Sequence, residues 1–190
     1  MKRLAVFASG TGSNFEAIAD AIQTGHLKAK LVLLVSDRPR AAVVAKAKAR
    51  GIPTFTFQAR NHVDKASYEQ AILDQLHLFA VDFIALAGYM RLIGPTILTA
   101  FPRRIVNIHP SLLPKYKGLD AIGQAMADGA QTTGVTIHYV DAGMDTGEVI
   151  AQRELDLSNL HSRDEIEQRI HAIEHELYPS TLHQLLEEIS

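Results

Sequence analysis

The chain has 190 residues, 47% hydrophobic and 21% charged, which fits one domain with a continuous apolar core and excludes a disordered chain. Nineteen Lys and Arg against 21 Asp and Glu give a net charge of −2, so no uniformly basic surface for nucleic acid is expected. Cysteine is absent, which removes disulfides, thiolate zinc sites, iron–sulfur clusters and thiol nucleophiles together.

The elements read in chain order as an alternation of short apolar strands and helices. Residues 4–8 form a buried strand that follows Met1-Lys2-Arg3 and stops at Ser9-Gly10, too short for a signal-peptide core. A helix over 14–24 carries Phe15, Ile18, Ala19 and Ile22 on one face. Residues 31–35 are a second strand. An Ala-rich helix over 40–50 ends at Gly51 and Pro53. A short strand over 54–57 precedes a helix over 65–79, striped by Tyr68, Ile72, Leu76 and Phe79. Residues 83–87 form a third strong strand, 95–100 a short helix opened by proline, and 104–108 another strand. Strands apolar throughout are covered on both faces, and the alternation points to a doubly wound, Rossmann-like, mostly parallel sheet. Residues 134–140 and 148–155 leave no room for a helix between them, so they add an antiparallel C-terminal pair. A terminal helix over 164–189 carries Ile166, Ile170, Ile173 and Leu177, with Pro179 expected to kink or break it. No run approaches the ~18–20 apolar residues of a membrane span. One α/β domain over residues 1–190, cytoplasmic and without membrane partners, is expected.

Four motifs can carry chemistry. Ser9-Gly10-Thr11-Gly12-Ser13-Asn14 joins the first strand to the first helix, where free N–H groups and the helix dipole favour a phosphate. The same residues also read as a turn and a helix cap. The dinucleotide fingerprint is incomplete, because Phe15 stands where a small residue belongs, although Asp37 ends the second strand where a ribose-binding acid would sit. Asn107-Ile108-His109-Pro110-Ser111-Leu112-Leu113-Pro114 follows a predicted parallel strand, and alternation puts Asn107 and His109 on one side. An amide beside an imidazole suits a carbonyl that becomes a tetrahedral oxyanion. A satisfied histidine before a proline turn is the alternative. Asp141-Ala142-Gly143-Met144-Asp145-Thr146-Gly147 is either a plain hairpin turn or the source of a carboxylate that pairs with His109 and favours its charged form. Finally, His171-Ala172-Ile173-Glu174-His175 matches an H-x-x-E-H zinc pattern with no evident third ligand, so no metal is expected. His138 reads as a supporting histidine.

Taken together, these residues resemble the phosphoribosylglycinamide formyltransferase family, along nearly the whole chain. The resemblance rests on the loop Ser9 to Asn14, on Leu86-Ala87-Gly88-Tyr89-Met90-Arg91, on the Asn107 to Pro114 element, on Met144-Asp145-Thr146-Gly147 and on Glu174-His175-Glu176-Leu177-Tyr178-Pro179. It implies that Asn107, His109 and Asp145 are the catalytic residues. It implies that Gly12, Ser13 and Asn14 hold the phosphate of glycinamide ribonucleotide and that Glu174 contacts its ribose end. Met90, Arg91, Leu92 and Ile93, with Asn107, would line the site of the co-substrate 10-formyltetrahydrofolate. Lys65 falls where the family often places an arginine near the folate. The stretch 115–120 receives no role. Formyltetrahydrofolate hydrolases and methionyl-tRNA formyltransferases share the fold but carry extra domains for which 190 residues leave no room. A non-catalytic Rossmann-like ligand-binding domain is the remaining alternative.

Overall fold

The computed structural model describes residues 1–189. Seven strands form one sheet: β1 (Lys2–Phe7), β2 (Ala29–Ser36), β3 (Thr54–Thr56), β4 (Phe83–Leu86), β5 (Ile105–His109), β6 (Thr132–Tyr139) and β7 (Val149–Asp156). Their order is β3-β2-β1-β4-β5-β6-β7. The pairings from β3 to β5 are parallel, and β6 and β7 add antiparallel pairings at the far edge. The helices are α1 (Ser13–Gln23), α2 (Ala42–Ala49), α3 (Lys65–Leu78), α4 (Pro95–Ala100), α5 (Ala121–Ala127) and α6 (Arg163–Glu188). Among the described residues, no helix is long and apolar enough to cross a membrane.

Alternation along the strands divides the core in two. Leu4 and Val6 face one side, packed with Phe15 and Ile18 of α1, Val43 of α2 and Ile170, Leu177 and Leu182 of α6. Ala5 and Phe7 face the other, packed with Tyr68, Ile72 and Leu76 of α3 and Ile97 of α4. Each fully buried large aliphatic side chain contributes about 1.5–3 kcal/mol, which is why the central strands are apolar throughout. The chain leaves β1 toward β2 on one side, while β4 and β5 build out on the other. The strand order therefore reverses between β1 and β4, and the crevice opens beyond their C-terminal ends.

The terminal helix is not broken at Pro179. Helix α6 runs unbroken from Arg163 to Glu188 with Pro179 inside it. Leu177 and Tyr178 before the proline and Leu182, Leu185 and Leu186 after it are all buried in the same core. Ser180 Oγ donates to the carbonyls of Glu176 and Leu177. Packing on both sides outweighs the lost backbone bond. Helix α5 was not foreseen: it is short, holds Gly123 inside, and starts from Asp120, whose carboxylate accepts from the Gly123 amide.

Tyr178 ties α6 to the sheet. Its hydroxyl donates to the Leu86 carbonyl at 2.7 Å and lies 3.3 Å from that of Val106. Tyr178→Phe removes this buried hydrogen bond and should lower stability by about 0.5–1.5 kcal/mol. Urea denaturation checks this through a lower midpoint at unchanged slope.

Candidate active site

A cleft of about 390 Å³ opens at the strand reversal, lined by residues from the α1 N-terminus, the segment after β4, the end of β5, the β6–β7 loop and α6. Of the residues singled out in the sequence, Asn14, Met90, Arg91, Leu92, Ile93, Asn107, His109, Asp145 and Glu174 line it. Gly12, Ser13 and Lys65 do not.

The glycine loop is shaped by its backbone. Gly12 caps α1 at φ 82°, with no side-chain cap on the first-turn amides. A Cβ on Gly12 would meet Val43 Cγ2 of α2 at 2.6 Å. Glycine is thus required both for the left-handed turn and for the close approach of α2. The uncapped amides at the start of α1 are free for an anion.

Strand β5 presents Asn107 and His109 to the cleft, with Asn107 opposite His138 and His109 opposite Thr136 of β6. Thr136 Oγ1 donates to the Ser111 carbonyl and accepts from the Leu113 amide, which fixes the proline loop after His109. Asp145 reaches in from the β6–β7 loop. Its Oδ2 lies 3.5 Å from His109 Nδ1 and accepts from the Gly118 amide at 2.8 Å. Its Oδ1 lies 3.5 Å from Asn107 Nδ2 and 3.6 Å from His138 Nε2. Burial pushes the Asp145 carboxyl up, but His138, the Gly118 amide and His109 more than offset it, and the group is held below the ordinary carboxylate range. The stability it contributes is complete above its unfolded pKa of about 3.9 and is lost only as pH falls through the lower folded value.

His109 has an oxygen at each nitrogen: Asp145 at Nδ1 and the Tyr116 carbonyl at Nε2, 2.8 Å away. Only the doubly protonated ring donates to both. His138 Nδ1 donates to the Tyr139 carbonyl at 2.8 Å, and its Nε2 lies 3.2 Å from Asn107 Nδ2. That contact orients the Asn107 amide.

The β6–β7 loop is both a hairpin connection and the carrier of Asp145. Asp141 Oδ1 accepts from the Gly143 amide and from Thr146 Oγ1, and this lacing holds Asp145 at φ 55°. The stretch 115–120 also enters the site, through the Tyr116 carbonyl and the Gly118 amide. Its backbone makes these contacts, so no side-chain pattern could announce them.

Asp37 does not stand free for a ribose. Ser9 Oγ and Arg91 Nε both donate to its carboxylate. Lys65 is exposed, and its Nζ donates to the Leu92 carbonyl at 2.5 Å. Within the zinc-like pattern, His171 and His175 stack at 6.0 Å, and among the described residues no group of three or more His, Asp or Glu is arranged to hold a metal ion. Glu174 instead turns inward and accepts from Asn14 Nδ2.

Residues 2–182 match the family model described as formyl transferase. The chain belongs to the formyl transferase family. Within that family, the phosphoribosylglycinamide formyltransferase of Bacillus subtilis (strain 168) is 52% identical over 186 residues, 98% of this chain and 95% of its own length. That of Escherichia coli (strain K12) is 35% identical over 176 residues, 93% and 83% of the two chains. The crystal structure of glycinamide ribonucleotide transformylase 1 from Geobacillus kaustophilus superposes with a TM-score of 0.95 at 55% identity, covering 98% of this chain and 99% of that one. The phosphoribosylglycinamide formyltransferase from Bacillus halodurans does so at 0.95 and 48%, covering 98% and 96%. The formyl transferase fold places its sheet reversal, and hence its cleft, where β1 and β4 end.

Proposed function

We propose that this chain transfers the formyl group of 10-formyltetrahydrofolate to the amine of 5′-phosphoribosylglycinamide, a step of de novo purine synthesis. The observation that carries this reading is the meeting of Asp145 with His109 and Asn107 on the wall of one cleft, from a loop far along the chain. We further propose that residues 1–190 act as one formyltransferase domain, a reading supported by the single sheet. A cytoplasmic location is proposed because a phosphorylated substrate does not leave the cell through a bilayer.

In this mechanism the neutral glycinamide amine attacks the formyl carbon, and the carbonyl electron pair moves onto oxygen. The folate supplies the formyl group and takes back the electron pair of the bond to its nitrogen. Asn107 donates to the oxyanion, and so does the His109 imidazolium, from Nε2, once the oxyanion takes the place of the Tyr116 carbonyl. Asp145 stabilises the imidazolium and passes the proton released by the new amide, by way of solvent, to the leaving folate nitrogen. One C–N bond forms and one breaks. Tetrahydrofolate and the formylated ribonucleotide leave. Holding both reactants in one cleft replaces a bimolecular encounter, which can supply about 7–11 kcal/mol of the barrier.

The backbone of Gly12, Ser13 and Asn14 takes the phosphate at the α1 N-terminus, and Glu174 the ribose hydroxyls. Met90, Arg91, Leu92 and Ile93, with Asn107, take the folate, whose flat polar ring suits backbone amides and carbonyls. Lys65 is assigned to the Leu92 carbonyl and so to the wall of the folate site.

Burial raises the Glu174 carboxyl, while the Asn14 bond and His171 oppose it. An acid raised on folding binds its proton more tightly in the native state. Its penalty is absent in acid and grows as pH rises above the unfolded value of about 4.3. Glu174→Gln should therefore raise Tm at pH 7 and raise it less below pH 4, while increasing KM for the ribonucleotide. Calorimetry at the two pH values, beside initial rates, checks both effects.

A folate absorbance assay tests the function. It offers 10-formyltetrahydrofolate with glycinamide ribonucleotide, with water alone or with charged initiator tRNA. Turnover only with the ribonucleotide is expected. Turnover in water alone would make the chain a hydrolase, and tight dinucleotide binding without transfer would make it a binding domain.

A further inference from the structure

The segment that walls the folate side of the cleft is held by Ser9, Asp37 and Glu69, buried polar side chains that the chemistry above does not use. The Met90 amide donates to Ser9 Oγ at 2.9 Å. Ser9 Oγ in turn donates to Asp37 Oδ1 at 2.5 Å. Asp37 Oδ2 accepts from Arg91 Nε at 3.0 Å. These bonds close a ring through the ends of β1 and β2 and the segment after β4. The Ser9 amide adds a bond to the Gly88 carbonyl at 3.0 Å. Ser9 is 1% exposed and Asp37 7%. Arg91 is fixed a second time, with its guanidinium carbon 5.7 Å from the Tyr68 ring centroid. At the far end of the segment, Lys65 holds the Leu92 carbonyl and Glu69 Oε2 accepts from the Gly94 amide at 2.7 Å.

A buried carboxylate is a poor device for stability alone, because desolvation offsets most of what its ion pair contributes. Each bond of this ring instead ends on a group whose position matters to a ligand in the cleft. Ser9 sets the Met90 backbone, and Asp37 sets the direction of the Arg91 guanidinium.

We propose that Ser9 and Asp37 are positioning residues for the folate co-substrate, holding the Met90 backbone and the Arg91 guanidinium in the geometry that binds it. The proposal rests on the formyl-transfer reading. It separates the two ligands: the ring backs the folate wall and touches neither Asn14 nor Glu174, on which the ribonucleotide depends.

The test compares the wild-type chain with Ser9→Ala, with the near-isosteric Asp37→Asn and with the double variant. Calorimetric titration with 10-formylfolate reads folate affinity directly, and steady-state rates give KM for each substrate. Each single variant should weaken folate binding about tenfold or more, as expected for losing a charge-assisted buried bond. KM for the ribonucleotide should stay within about twofold, and the double variant should be no worse than the weaker single one, because both act through one ring. Should Ser9→Ala fold poorly, Asp37→Asn decides alone. Unchanged folate affinity, equal shifts in both KM values or additive losses would each overturn the proposal. If the wild type transfers formyl groups and the variants bind folate equally well, the positioning claim alone falls. If the wild type does not transfer formyl groups from 10-formyltetrahydrofolate, the formyl-transfer reading falls and takes this claim with it.

Discussion

His109→Ala should lower kcat by at least about 10²–10³-fold, the usual cost of losing one donor to a developing oxyanion. The loss should fall on kcat more than on either KM, because the imidazolium is asked to act on charge that exists only after attack begins. The structure supports a donor in waiting. His109 sits at the C-terminal end of a parallel strand, and its neighbours Asp145 and Tyr116 present only acceptors to it. Removing the ring also takes one of the catalytic partners from the Asp145 carboxylate, although the Gly118 amide still holds it. Pre-steady-state rates with both substrates saturating isolate the chemical step. Wild-type turnover in the variant would remove His109 from the mechanism.

Asp145→Ala carries the second large effect, also at least about 10²–10³ in rate. Three functions are lost together: the charge facing His109, the acceptor for Gly118 and the contact that arranges Asn107. Asp145→Asn separates them. It keeps an acceptor for the Gly118 amide but removes the negative charge. A near-complete loss in Asp145→Asn assigns the effect to charge, and substantial recovery relative to alanine assigns it to placement of the 115–118 backbone. Because the carboxyl is held below its ordinary range, its ionisation does not limit activity near neutrality. The stability gap between wild type and Asp145→Ala should instead close as pH falls below about 4. A gap unchanged between pH 7 and pH 3 would show that Asp145 is not an ionised partner in the fold. Asn107→Ala should lower kcat by a comparable order, because it removes the other proposed oxyanion donor and frees His138 Nε2.

The strands and most helices were legible because each is a local pattern. Apolar runs such as Val6-Phe7 and Ile84-Ala85-Leu86 mark strands buried on both faces, and Gly51 with Pro53 marks a helix end. The glycine loop and the Asn107–His109 pair were legible for the same reason: short spacing on one element decides what they share. The meeting of Asp145 with His109 was an expectation that only the fold could bring about, since it needs β6 and β7 to return antiparallel beside β5. The roles of Tyr116 and Gly118 were invisible, because carbonyl and amide contacts leave no trace in residue type. Asp37 stands where a ribose-binding acid would sit, beside a dinucleotide fingerprint that Phe15 leaves incomplete. A carboxylate at the end of a second strand can hold a ribose or another side chain, and here Ser9 and Arg91 take it up. Helix α5 escaped because it is seven residues long with an interior glycine, below the length at which periodicity speaks.

The central claim is that the formyl carbon ends on the glycinamide nitrogen. Incubating the chain with 10-formyltetrahydrofolate labelled with ¹³C in the formyl group, together with glycinamide ribonucleotide, follows that carbon by mass spectrometry. The account predicts the label in the formylated ribonucleotide, in step with tetrahydrofolate release. Label accumulating as formate, with the ribonucleotide unchanged, would contradict it.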